Sequence, residues 1–312
     1  MEARTWLWIA FGVIVVGILV FDLGVVGRQK SKLELKPALL LAGVYVSLAL
    51  AFGVAVLFWI GADAGLQYYT AYVLEESLSL DNIFLWVLVF QQLKVPDAAQ
   101  HKVLFWGIMG AIVLRGVFIF AGTALVQSFE WVLYIFGVLV LFSGIKLLRG
   151  GGAENDVGNS RVLKFLRRYL DVTEHYEGNR FLVRHDGRLN ATPLLAALVV
   201  IETTDIVFAL DSIPAIFGIT QDRFVVYTSN VFAVIGLRAL YFTVANLVEH
   251  LRYLRYGLSL LLILIGAKMI AGGFVEIPVW LTLGATVAIL GGAIGLSLMH
   301  RESRSAERHP AA

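Results

Sequence analysis

At 312 residues, 59% of them hydrophobic and 15% charged, with a mean hydropathy of +0.80, the chain lies far outside the balance of a water-soluble domain. A net charge of +2 conceals basic residues gathered in short segments between apolar runs, a pattern that gives no indication of nucleic-acid binding. With no cysteine, disulfides, thiolate metal sites and cysteine redox chemistry are excluded, so a metal would meet only oxygen or imidazole.

A crossing needs roughly 20 mostly apolar residues, and nine are expected, near 5–26, 38–60, 67–93, 101–127, 129–149, 192–218, 222–247, 251–271 and 278–299. The first lies in MEARTWLWIAFGVIVVGILVF, which lacks an Ala-x-Ala-like cleavage site after a short apolar core and reads as a retained helix. Lys and Arg collect in alternate connections: Arg28, Lys30, Lys32 and Lys36, then Lys94 and Lys102, then Arg161, Lys164, Arg167 and Arg168, and again in the tail RESRSAERHPAA. The intervening GADAG, VQSFE and AGGFVEIP contain neither residue. The positive-inside rule then puts the N-terminus outside and the C-terminus in the cytoplasm. Residues 150–191 form a cytoplasmic loop too short for a confident independent domain, in which RVLKFLRRYL is expected as a short amphipathic helix on the inner leaflet.

Spans three to five align with spans six to eight through their polar residues. Glu75 and Asp81 of EESLSLDNI lie over Asp205 and Asp211 of DIVFALDSI, Arg115 over Arg238, and Gly144-x-Lys146 over Gly266-x-Lys268. Units with an odd number of spans, placed in succession, must have opposite orientations, as in many secondary transporters. The expected fold is therefore an all-α polytopic membrane protein of about nine transmembrane helices with two inverted three-helix repeats. Residues 1–66 would hold the first two helices, 67–149 repeat one, 150–191 the loop, 192–271 repeat two, and 272–312 the last helix and tail. The Gly-rich GATVAILGGAIG of that last helix permits close packing and sets no oligomeric state.

Ionisable groups inside a bilayer are costly and mark a pathway by default. Glu75, Glu76 and Asp81 fall in span three, Glu202, Asp205 and Asp211 in span six, and Arg115 and Arg238 in the second helix of each repeat. At about 1.5 Å per residue, Asp81 and Asp205 each lie roughly 20 Å from a boundary, near mid-membrane. Glu202 and Asp205 share a face, whereas the six-residue spacing to Asp211 turns off it. Pro214 could kink or open the helix beside Asp211 and free the Leu210 carbonyl. Hydroxyl and amide neighbours (Ser77, Ser79, Asn82, Thr203, Thr204, Ser212) complete an oxygen-only set suited to Mn²⁺, Mg²⁺ or Ca²⁺. His101 and His250 fall near cytoplasmic ends and read as interfacial. Asp22 reads equally as interfacial or as a vestibule ligand. The competing account pairs the acids with Arg115 and Arg238 in buried ion pairs that only fix packing; alternatively those arginines balance charge and tune the acids' proton affinity.

EESLSLDN and ETTDIVFALDSIPAIFGITQDRFVVYTSNVFAVIGLRALYF resemble the signature segments of the TerC family, and the similarity runs over most spans, VFDLG of the first included. The resemblance implies a bacterial inner-membrane protein of the wider LysE-like exporter group, with members that export Mn²⁺. It implies a metal path through Glu75, Asp81, Asn82, Glu202, Asp205, Asp211 and Ser212, with Asp22 beside them. The family's historical link to tellurite fits poorly, because an acid-lined path repels an oxyanion. The expected function is a secondary exporter of a hard divalent cation, Mn²⁺ first, in possible exchange for protons, with the ion as substrate and no prosthetic group. A membrane assembly protein is the alternative, since it would need the spans but not the charges. An enzyme is not expected: no nucleophile with its base is evident, and no phosphate-binding loop suggests an ATP-driven pump.

Overall fold

The computed structural model describes residues 2–24, 35–129, 131–149, 176, 178–185, 188–244, 253–272 and 278–308. The apolar runs become α1 (Glu2–Gly24), α2 (Leu35–Trp59), α3 (Ala62–Gln92), α4 (Asp97–Ser128) and α5 (Trp131–Leu148). A hairpin, β1 (Leu182–His185) with β2 (Arg188–Ala191), leads into α6 (Pro193–Phe217), α7 (Arg223–Val244), α8 (Leu254–Ala271) and α9 (Val279–Arg308). All nine expected spans are thus helical among the described residues. Eight are long and apolar enough to cross a membrane; α3 is long enough, at 31 residues, but its acids lower its apolar character. It is correspondingly enclosed, packing against α2, α6, α7 and α9.

Burial sorts the helices. The crossing stretch of α7 is 89% buried, and Val231–Ala239 is buried without interruption. α1, α2, α5 and α9 instead expose Val13, Leu40, Phe58, Phe142 and Val287, the apolar periphery that lipid would cover. α5 and α8 make the closest helix pair. A Cβ on Gly266 would stand 2.6 Å from the Leu141 amide nitrogen, and one on Gly144 would stand 2.9 Å from the Ser259 carbonyl oxygen, so the backbones meet only because these residues have no side chain.

Four of the five exposed tryptophans, Trp6, Trp59, Trp131 and Trp280, occupy the start of α1, the end of α2, and the starts of α5 and α9, while Trp106 lies within α4. These helix termini lie at one end of the bundle, where a ring of amphipathic tryptophans marks a membrane–water interface. Lys94, Lys102 and Arg149 lie toward the other end.

There the hairpin docks over the α3–α4 turn. Its strands pair antiparallel from Leu182 opposite Ala191 to His185 opposite Arg188. The Tyr176 hydroxyl donates to the Leu93 carbonyl, Lys102 Nζ donates to the Asn179 carbonyl and stands 4.6 Å over the Phe181 ring, and Thr192 Oγ1 donates to the Arg180 carbonyl at 2.7 Å. The amphipathic helix expected over 161–170 falls outside the described residues, as does His250. Two expectations change. α9 runs past the apolar span into the charged tail as far as Arg308, over residues that favour helix. α6 does not open at Pro214: the proline sits in the last turn, three residues before the helix ends, where one lost amide bond is easily tolerated.

Candidate ion path

Arg115, at mid-α4, is 1% exposed and holds two acids from two other helices. Its Nε and Nη2 donate to the two carboxylate oxygens of Asp205 on α6, at 3.1 and 2.9 Å, in the bidentate geometry that suits a guanidinium. Its Nη1 donates to Glu75 Oε1 on α3, which also accepts a long 3.5 Å contact from the Ser79 hydroxyl. The cluster ties α3, α4 and α6 together and carries one formal negative charge.

Arg238 on α7 pairs with one acid, on α1, and that acid in turn reaches α2. Its Nη1 lies 2.9 Å from Asp22 Oδ2, the Tyr45 hydroxyl donates to Asp22 Oδ1 at 2.7 Å, and the guanidinium stands 6.0 Å over the Phe105 ring. Asp22 is 3% exposed and closes a neutral pair among α1, α2 and α7, two residues before α1 ends.

Other polar atoms have no such partners. Both carboxylate oxygens of Glu76 are enclosed without a hydrogen bond and lie against the backbone of Gly236, 3.6 and 3.9 Å from where its Cβ would be. Glu202, one turn from Asp205, presses its carboxylate onto Gly110 of α4, where a Cβ would stand 2.0 Å from Oε1; its Oε2 has no partner. Glu202 and Asp205 therefore do share a face, the one toward α4. Glu75 Oε2, Asn82 Oδ1 and Ser212 Oγ are also enclosed and unpartnered. Enclosed polar atoms in a folded protein ordinarily have partners, and exceptions mark places where water, a proton or an ion belongs.

Asp81 on α3 and Asp211 on α6 are placed only by their helices, their side chains lying outside the described ones. Among the described residues, no three acids or histidines stand together as a ready ligand set, because Arg115 occupies the space between Glu75 and Asp205. His101 is buried and stacks 4.3 Å from the Phe242 ring, inside the bundle rather than at an interface.

The sequence reading passed over Tyr45, Gly110, Gly236 and Asn230. Asn230 is 0% exposed, and neither end of its amide has a partner. A carboxamide within a long apolar helix was the available signal, masked by the louder acids.

Residues 60–305 match the model of the integral membrane protein TerC family. An uncharacterised membrane protein of Myxococcus xanthus is 43% identical over 293 residues, covering 94% of this chain and 92% of its own. Proteins provisionally named membrane-bound redox modulator Alx are 41% identical over 293 residues in Salmonella typhi and 40% over 295 residues in Escherichia coli K12, each covering 91% of both chains. No solved structure matches the chain.

Proposed function

The chain belongs to the TerC family of integral membrane proteins, and on that premise we propose that it is a secondary transporter exporting a hard divalent cation, Mn²⁺ first, across a bacterial inner membrane. The observation that carries this reading is the surplus of enclosed carboxylate. Arg115 leaves its two acids with one net negative charge, while Glu76 and Glu202 have no cation at all. Unpaired charge in an apolar bundle is expensive and calls for a cation or protons as its counterpart. The donors are carboxylate, carboxamide and hydroxyl oxygens, the set that hard divalent ions prefer.

In this reading Asp81, Asp211, Asn82 and Ser212 add ligands to Glu75, Glu202 and Asp205. An arriving ion displaces the Arg115 guanidinium from one or both of its acids. Arg115 belongs to the first aligned unit and Asp205 to the second, so their bond crosses the boundary along which two inverted repeats would move in alternating access. The N-terminus and the tryptophan-ringed end face outside. The redox role named for the relatives is not one that thiols of these 312 residues could perform, since they contain no cysteine.

The second reading, a membrane assembly protein, is favoured by one feature: both arginines are ion-paired with buried acids, as a packing role requires, although Arg238 Nε and Nη1 make no hydrogen bond. Flux separates the two. In liposomes loaded with a metal-sensitive dye, alongside a pH dye, the wild type is expected to move Mn²⁺ with Mg²⁺ and Ca²⁺ as competitors. Asp81→Asn and Asp211→Asn are expected to abolish that movement without loss of expression. A folded, correctly inserted wild type that moves no divalent cation would overturn transport and leave assembly as the better account.

A further inference from the structure

At the tryptophan-ringed end a cavity of about 410 Å³ opens among Arg4 and Trp8 of α1, Phe120 of α4, and Asp222 and Phe224 at the start of α7. Its floor is aromatic. Trp8 stands edge-on to Phe224 at 5.0 Å, and Tyr227, one turn further along α7, lies 6.0 Å from Trp8 and 5.7 Å from Phe120. The other side of the Tyr227 ring meets backbone: a ring carbon lies 3.2 Å from where a Cβ on Gly116 would stand, and Gly116 follows Arg115 in the chain. One ring therefore touches both the cavity floor and the helix turn that carries the Arg115 cluster. Three residues further along α7, on the same helical face, stands Asn230 with its unpartnered amide.

The rim is tied shut. Arg4 forms an ion pair with Asp222 Oδ2, while Asp222 Oδ1 accepts the Phe224 amide at 2.9 Å, so the first turn of α1 is strapped to the start of α7. Arg223 Nη2 donates to Gln127 Oε1 at 2.7 Å and brings in the end of α4. The Arg4 and Asp222 side chains are 51% and 23% exposed, and ion pairs with such access to water are weak. A weak bond suits a contact that must open in every cycle.

We propose that the cavity is the outer vestibule of the ion path, that Tyr227 is the gate between it and the Arg115 cluster, and that the Arg4–Asp222 pair is the latch holding the gate closed in this conformation. The proposal rests on the transport reading but not on the identity of the ion. Gly116 has a purpose in it, since a Cβ there would force the ring to give by a few tenths of an ångström. Asn230 has one too, as the first polar group an ion or water meets beyond the ring.

The cysteine-free chain permits a direct test. Asn230→Cys is placed in the full-length protein in liposomes, and a membrane-impermeant maleimide is applied on the Arg4 side. Labelling is expected to be slow in this parent, equally slow with Tyr227→Phe, which keeps the ring, and at least tenfold faster with Tyr227→Ala. Arg4→Ala and Asp222→Asn are expected to speed it severalfold, and the exchange of Arg4→Asp with Asp222→Arg to slow it again. Unchanged labelling with Tyr227→Ala overturns the gate, and unchanged labelling with both latch variants overturns the latch, each independently of whether the other variants fold. Labelling needs no flux. A protein that carries no Mn²⁺ but whose labelling still follows Tyr227 keeps the gate and loses the Mn²⁺ reading.

Discussion

Replacing Arg115 with methionine keeps a long unbranched stem and removes the hydrogen bonds that Nε, Nη1 and Nη2 give to Asp205 and Glu75. The two carboxylates would remain where they are, 7% and 0% exposed, with no cation between them. Removing one partner of a buried ion pair costs about 3–5 kcal/mol. At about 1.4 kcal/mol per tenfold, that is roughly two to four powers of ten in the unfolding equilibrium. Adding Glu75→Gln and Asp205→Asn removes the uncompensated charge and should recover at least half of the loss. The assay is equilibrium unfolding in mixed mild detergent and SDS, followed by tryptophan fluorescence. An Arg115→Met protein that unfolds within about 0.5 kcal/mol of wild type would refute the claim that Arg115 holds the two acids.

Gly110→Ala should act on the site rather than the fold. A Cβ 2.0 Å from Glu202 Oε1 must be relieved to at least the 3.4 Å of ordinary contact, and the carboxylate is the flexible end of its side chain, free to move by the difference. Displacements of this size cost up to about a hundredfold where geometry matters, so Mn²⁺ flux should fall tenfold or more at unchanged expression; unaltered flux would take Glu202 out of the path. Gly266→Ala should behave oppositely. Its new Cβ meets the Leu141 backbone nitrogen at 2.6 Å, which can yield only if α5 shifts, at a cost of about 1–3 kcal/mol. Gly12→Ala, with nothing within 4 Å, should instead stabilise α1 by about 0.5–1 kcal/mol, so the two variants should move the thermal midpoint in detergent in opposite directions. Tyr45→Phe removes the hydroxyl 2.7 Å from Asp22 and should cost about 1.5–3 kcal/mol, the range for a hydrogen bond to a charged group, in the same unfolding assay. An unchanged midpoint would mean that Arg238 alone satisfies that acid.

Helices were legible because the bilayer imposes a length and a polarity that can be counted residue by residue. The acids and arginines were legible for the converse reason: each breaks an apolar run. Pairing was less accessible. Asp22 could be read as interfacial or as a ligand because the sequence places it by depth alone; only packing puts Tyr45 and Arg238 on its two oxygens. The close approaches at Gly110, Gly236 and Gly116 could not be anticipated, since a glycine in an apolar helix looks the same whether it seats a carboxylate, seats a ring or faces lipid. Other features were present and passed over. Asp186-Gly187 between FLVRH and RLNA is a hairpin signal, yet the length of the surrounding loop suggested a linker. Pro214 suggested a break because it removes the amide bond to the Leu210 carbonyl; the expected span, 192–218, already put it in the last turn, where that loss needs no break.

The allocation of charge then bears on mechanism in a way that counting alone does not. Among the described residues the bundle encloses five acids, Asp22, Glu75, Glu76, Glu202 and Asp205, against Arg115 and Arg238, which leaves three formal negative charges if all are ionised. Arg238 is spent on Asp22, so the surplus falls on acids of α3 and α6: Glu75 and Asp205 at Arg115, Glu202 against Gly110 and Glu76 against Gly236. A bundle of this apolarity cannot hold three uncompensated charges. One divalent cation would offset two of them, and protons would offset the same two when the ion has left. In the proposed exchange the two loaded states would differ little in total charge, so that one site could alternate between a metal in one direction and protons in the other. A protein whose acids served only packing would have no reason to leave Glu76 and Glu202 without a partner.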